Sequence, residues 1–118
     1  DILVIACRAG EETRGMVSRP VLDALGPHGL LVNVARGQVV DKDALIAALL
    51  EGRLGMAALD VFQSEPTPAG RWKDVPNTVP TPHIGGATTG AVPKMLALTR
   101  ENLRRFFAGE PLANPVLE

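Results

Sequence analysis

The stretch LLVNVARGQVVDKDALIAALLEGRLGMAALDVF, residues 30–62, decides the fold. It opens on an apolar run, Leu30 to Val34, that reads as a strand buried on both faces. The run breaks at Ala35–Arg36–Gly37, where Gly37 permits a tight turn. Asp41 then stands as the cap of a helix over KDALIAALLEG. Within it Leu45 and Leu49, with Ile46 and Leu50, recur one turn apart on a face wide enough to cover a sheet. Gly52 sits where a helix ends. Met56 to Phe62 is a further strand, so the stretch reads strand–helix–strand.

The same alternation extends on both sides. Upstream, ILVIA (2–6) is another strand of the doubly buried kind, followed by the polar loop CRAGEETRG. Ser18 then caps a helix that carries Pro20 in its first turn and stops at Gly26. Downstream, the Pro-rich QSEPTPAGRWKDVPN is a long loop, and TVPT (78–81) is a short strand that Pro80 confines to an edge. A last helix starts near Thr88 or Thr89, tolerates Pro93 in its first turn and ends at Gly109. On it Met95, Leu96, Leu103 and Phe107 gather on one side, and Lys94, Glu101, Arg104 and Arg105 on another. The order β-α-β-α-β-β-α predicts an α/β protein, part of a doubly wound, Rossmann-like parallel sheet with helices on its faces.

Composition narrows the function classes. The chain has 118 residues, 46% of them hydrophobic, which suits one globular domain with a modest core. Twelve basic and 13 acidic residues leave a net charge of −1, which argues against nucleic acid or an anionic membrane as partner. No apolar run reaches membrane-spanning length. The single cysteine, Cys7, excludes a disulfide framework or a cysteine zinc site within the chain and fits a reducing, cytoplasmic setting; no metal is expected. The closing LE, residues 117–118, has the look of a cloning remnant.

In open α/β sheets, ligands bind beyond the carboxyl ends of the strands. The residues that the sequence places there are Cys7 and Arg8 after the first strand, and Asn33 to Gly37, with Arg36 central, after the second. Asp60 and Glu65 follow the third, and His83 the fourth. An arginine, two carboxylates and an imidazole thus share one sheet edge. Gly85 and Gly86 leave space beside the imidazole.

The motifs VNVARGQVVDKDALIAALLEGRLGMAALDVFQSEP and TPHIGGAT, with DILVIAC, EETRG and NLRRFFAGEPL around them, resemble the second half of the cofactor-binding domain of the D-isomer-specific 2-hydroxyacid dehydrogenases. The resemblance covers nearly the whole chain. The combination of ARG, LDVF-x-x-EP and TPHIGG in that order is specific, while any one alone is weak. It implies an NAD- or NADP-dependent enzyme of the glyoxylate/hydroxypyruvate reductase or phosphoglycerate dehydrogenase kind. The substrate would be a small 2-keto or 2-hydroxy acid, and the enzyme a homodimer. The resemblance also implies a catalytic set of Arg36, Glu65 and His83. Cofactor contacts fall on Cys7, Val34, Ala35, Arg36, Asp60, His83, Gly85 and Gly86. Relatives of the family that act as dinucleotide-sensing corepressors supply the rival reading, a binding module.

The chemistry of these residue types agrees. An imidazole, with an ordinary pKa of roughly 6.5, can donate the proton that a nascent alkoxide needs. A carboxylate on its far nitrogen fixes the tautomer. A guanidinium offers a planar fork to a substrate carboxylate, and Asp60 can accept from a carboxamide. The plainer readings are a satisfied strand-end histidine, a surface arginine, a solvated Glu65 and an Asp60 that braces a turn. Cys7 is expected to be a small buried hydrophobe, His28 solvent-facing, and Arg71–Trp72–Lys73 a packing cluster. The chain contains no G-x-G-x-x-G. Residues 1–118 are therefore read as the C-terminal part of an NAD(P)-binding domain, without the glycine-rich first βαβ unit or the substrate domain. Two central strands are expected to be missing between the first and second strands present. By itself the piece is expected to be inactive, to bind NAD(H) weakly and to self-associate.

Overall fold

The computed structural model describes residues 1–116; the closing LE motif lies outside the described residues. The chain divides into two compact units, Asp1–Ile84 and Gly85–Glu118.

The first unit is a four-stranded parallel sheet in the order β1-β2-β3-β4: β1 (Ile2–Ile5), β2 (Leu30–Asn33), β3 (Met56–Leu59) and β4 (Thr78–Pro80). Helix α1 (Arg19–Leu25) links β1 to β2, and α2 (Lys42–Leu50) links β2 to β3. The helix ends fall at the expected residues, although the Ser18 side chain makes no capping hydrogen bond. Ser18 is the N-cap of α1, with Pro20 in the first turn. Gly26 ends α1 at φ 80°. The Asp41 carboxylate accepts from the amides of Asp43 and Ala44 at 3.1 and 3.0 Å, which satisfies two orphan donors of α2.

The register makes the burial alternate. Leu31, Asn33, Ala57, Leu59 and Ile5 share the covered face and are buried. Against them pack Leu22 of α1 and Leu45, Ala48 and Leu49 of α2, in one core cluster with Val39, Val40 and Leu54. Burying each of the large side chains contributes about 1.5–3 kcal/mol. Leu50, expected on the same face of α2, points to solvent, and Ala48 takes the inward position instead.

Two expectations are corrected here. β1 pairs directly with β2, from Ile2 opposite Leu30 to Ile5 opposite Asn33, so no strands are missing between them. Nor are the strands buried on both faces: Ile2, Val4, Met56 and Val79, on the opposite face, are 68, 57, 42 and 51% exposed. The strands follow one another in one direction, so successive crossovers of the same hand fall on the same side. Helices α1 and α2 accordingly pack together on that side. The length of an apolar run therefore does not reveal which face a helix covers.

The loop after β1 is held to the segment after β2. Gly15 donates to Gln38 O at 2.9 Å, Val17 to Val39 O at 3.0 Å, and Asp41 to Val17 O at 3.0 Å. β4 is an edge strand, the place where Pro80 costs no ladder bond.

The second unit contains α3 (Ala91–Ala108). Pro93 lies in its first turn, and Gly109 closes it in the left-handed conformation. Arg104 and Arg105 pair with Glu101, whose carboxyl is thereby pushed down to about 2. Met95, Leu96, Leu103 and Phe107 are all exposed. No helix among the described residues is long and apolar enough to cross a membrane.

Candidate active site

Four segments at the carboxyl edge of the sheet meet around one pocket of about 420 Å³, whose wall includes Ala9, Arg36, Gln38, Phe62, Glu65 and His83. A larger cavity of about 480 Å³ is lined by Phe62 and Gln63 with Val40, Leu45, Leu59 and Trp72, and among the described residues no carboxylate or imidazole lines it. The smaller, polar pocket is where Arg36, Glu65 and His83 come together.

Arg36 is delivered by the turn after β2. Asn33, buried at the end of that strand, staples the turn: its Oδ1 accepts from Ala35 N at 3.0 Å and its Nδ2 donates to Arg36 O at 3.1 Å. Arg36 itself is exposed, and its Nη1 donates to Ala35 O at 2.7 Å. The next residue, Gly37, opens the expected tight turn, a single 3-10 turn over Gly37–Val39, without a positive φ. Its role is close approach: a Cβ there would lie 2.1 Å from Phe62 C and 2.3 Å from Gln63 N. The glycine lets the segment that carries Arg36 touch the one that carries Glu65.

Glu65 stands in the loop after β3, which is anchored by Phe62 on Trp72, an edge-to-face pair with centroids 5.7 Å apart. The peptide bond from Glu65 to Pro66 is cis. Phe62 N donates to Glu65 Oε1 at 2.8 Å, and Glu65 Oε2 lies 2.6 Å from His83 Nδ1. The hydrogen bond from His83, the Phe62 amide and the neighbouring Arg36 charge together hold the Glu65 carboxyl below the usual carboxylate range. An ionised Glu65 must accept, so Nδ1 carries the proton and Nε2 is the nitrogen left for chemistry.

The other expected residues fall as follows. Asp60 is 8% exposed, and its Oδ1 accepts from Thr81 Oγ1 at 2.6 Å and Ile84 N at 3.0 Å, so it does brace the turn around His83. Val34 is half exposed just beyond β2, and Ala35 is buried. Cys7 is exposed, contrary to expectation, because β1 ends at Ile5 and the chain bends away there. Gly85 and Gly86 open the second unit, and neither has a positive φ; the left-handed residue of TPHIGG is His83 itself, at φ 54°. His28 is exposed. Arg71 pairs with Asp43, and Trp72 packs, as a structural cluster would. Among the described residues no cluster of His, Cys, Asp or Glu could hold a metal ion. Sequence reasoning missed Thr81 and the stapling role of Asn33. A polar residue inside an apolar run, LLVNV, was the available signal for the latter.

Comparison with known proteins places this geometry. Residues 1–85 match the family model described as D-isomer specific 2-hydroxyacid dehydrogenase, NAD binding domain. A hydroxyphenylpyruvate reductase of Plectranthus scutellarioides is 45% identical, and glyoxylate/hydroxypyruvate reductase A of Arabidopsis thaliana 47%, each over 99% of this chain. The chain spans 37% of the length of either relative. Among solved structures, a 2-hydroxyacid dehydrogenase of Ketogulonicigenium vulgare shares 46% identity at a TM-score of 0.90, over 99% of this chain and 37% of that one. An NADPH-dependent glyoxylate/hydroxypyruvate reductase of Sinorhizobium meliloti, in complex with NADP and malonate, shares 36% identity at a TM-score of 0.91, over 98% of this chain and 36% of that one. This chain belongs to the D-isomer specific 2-hydroxyacid dehydrogenases, in the family of their NAD binding domain.

Proposed function

We propose that the intact protein carrying this chain is an oxidoreductase that moves a hydride between NAD(P)H and a small 2-keto or 2-hydroxy acid. Glyoxylate and hydroxypyruvate, which name several of the relatives, are the first substrates to try. The observation that carries the reading is the 2.6 Å pair of His83 and Glu65 in one pocket with Arg36.

Bound nicotinamide would supply or take up the hydride at the substrate carbon. The protein's own residues supply the rest. Glu65, ionised, holds the imidazole by Nδ1 and stabilises its protonated form. His83 then passes a proton from Nε2 to the carbonyl oxygen as that oxygen gains charge, and reclaims it in the oxidation direction. Arg36, with one N–H on Ala35 O, offers its remaining donors to the substrate carboxylate and polarises the carbonyl. The residues present fit a nicotinamide. Val34 offers exposed apolar surface beside the Ala35–Arg36 backbone, and the Asp60 carboxylate lies at the same sheet edge. Cys7, exposed beyond β1, belongs with the adenine side.

The reading includes a cytoplasmic setting, in keeping with one free thiol, and a homodimer, as the family resemblance implies. The test is loss of NADH or NADPH absorbance by the purified full-length protein with glyoxylate, hydroxypyruvate and pyruvate. Turnover with at least one pair is expected. Dinucleotide binding without turnover on any 2-keto acid would favour a binding module instead.

A further inference from the structure

We propose that Thr81 is a positioning residue, which closes with Asp60 a clasp that holds His83 in the one backbone conformation where its ring meets Glu65. The inference rests on the reading of His83 as proton donor.

Three observations carry it. His83 sits at φ 54°, a left-handed conformation that residues with side chains seldom adopt and that persists only where the surroundings over-determine it. The surroundings do so from both sides: Asp60 Oδ1 accepts both the Thr81 hydroxyl at 2.6 Å and the Ile84 amide at 3.0 Å. Thr81 also fixes the turn by its backbone. Its N–H donates to Leu59 O at 2.9 Å, which ties it to the end of β3, and its carbonyl accepts from His83 N at 3.0 Å.

The clasp is tied to the rest of the site. Asp60 N donates to Asn33 O at 3.0 Å, and the Asn33 side chain staples the turn that bears Arg36. The ends of β2 and β3 thus set the guanidinium and the imidazole from adjoining residues. Asp60 and Asn33 are both buried, so each of these bonds has one partner withdrawn from bulk water. On this proposal Thr81 acts without touching substrate or cofactor. Its effect passes wholly through the orientation of His83.

The test uses the full-length protein. Thr81→Val keeps the shape and removes the hydroxyl donor, and Thr81→Ser restores the donor. In Thr81→Val, kcat should fall about 10- to 100-fold, the cost of a misplaced reacting group, while the KM of the keto acid and the Kd of NADH stay within about twofold. Thr81→Ser should recover most of the loss. A second readout needs no turnover: the low-field proton resonance of Nδ1–H on Glu65 should be present in the parent and in Thr81→Ser, and lost in Thr81→Val. Should Thr81→Val not fold, Thr81→Ala, which leaves room for a water on Asp60, carries the same expected split. Parental kcat in the donor-less variant, a loss that serine does not rescue, or lost turnover with the resonance intact would each overturn the clasp. His83→Gln run alongside separates the two ideas. If it keeps parental turnover, the acid assignment fails and the clasp with it. If it is inactive while Thr81→Val is fully active, the clasp alone fails.

Discussion

Replacing Gly37 by alanine adds one methyl group at the point where two catalytic segments touch. The added Cβ would lie 2.1 Å from Phe62 C, 2.3 Å from Gln63 N and 2.5 Å from Phe62 O. Favourable carbon contacts begin near about 3.5 Å, so the two segments must part by more than about 1 Å. The neighbours are backbone atoms, which cannot rotate away as a side chain would. Overpacking typically costs about 1–3 kcal/mol, and the rigid contact puts this case at the upper end, about 3 kcal/mol. At about 2–4 °C per kcal/mol for a domain of ordinary size, the melting temperature should drop by roughly 6–12 °C. The separation also carries Arg36 away from Glu65 and His83, so kcat/KM should fall by at least about tenfold in the variant that remains folded. Gly52→Ala is the control. Its φ of 69° costs about 1 kcal/mol with a side chain, but a Cβ there meets nothing within 4 Å, and turnover should be unchanged. Thermal unfolding and keto-acid reduction by the full-length protein decide the matter. A Gly37→Ala variant with parental melting temperature and turnover would refute the close-approach argument.

Other outcomes follow from the same geometry. Asp41→Ala removes the acceptor for two amides at the start of α2 and should cost about 1 kcal/mol in denaturant unfolding without altering turnover. Arg36→Lys cannot present two parallel donors, so the keto-acid KM should rise by about tenfold or more; unchanged kinetics would sink the carboxylate-fork role. The Glu65 carboxyl, followed by carbon-13 shift, should titrate below the ordinary value of about 4.3. Because its folded value is the depressed one, its stabilising effect is complete above the unfolded pKa and disappears as pH falls through the folded one. A titration midpoint at or above the ordinary value would contradict the pairing with His83.

Local signals carried most of the fold. Asp41, Gly26, Gly52 and Gly109 begin or end helices as their types dictate, Ser18 stands at the start of α1 by position without a side-chain bond, and Pro80 does lie on an edge strand. These are decisions made within a few residues, where sequence has direct purchase. The faces of the sheet were not legible. Ile2 and Val4 are as apolar as Leu3 and Ile5, yet register and crossover side leave the first two exposed. Cys7 misled for a related reason, since a one-residue difference in strand length turns a buried position outward. At the site, residue types identified Arg36, Glu65 and His83, and their meeting at one pocket is a product of the parallel order of the strands. The supporting contacts were beyond reach. Gly37 looks like any turn glycine until Phe62 is seen against it, and Thr81 earns notice only through its bond to a residue 21 positions away.

The central claim is that His83, held by Glu65, delivers the proton in keto-acid reduction. The most direct test is single-turnover reduction of glyoxylate by the full-length protein preloaded with its preferred dinucleotide, His83→Gln against parent. The account predicts a loss of about 10²–10⁴ in rate with dinucleotide affinity retained. A rate near the parent's, or a loss no larger than the loss of dinucleotide binding, would contradict it.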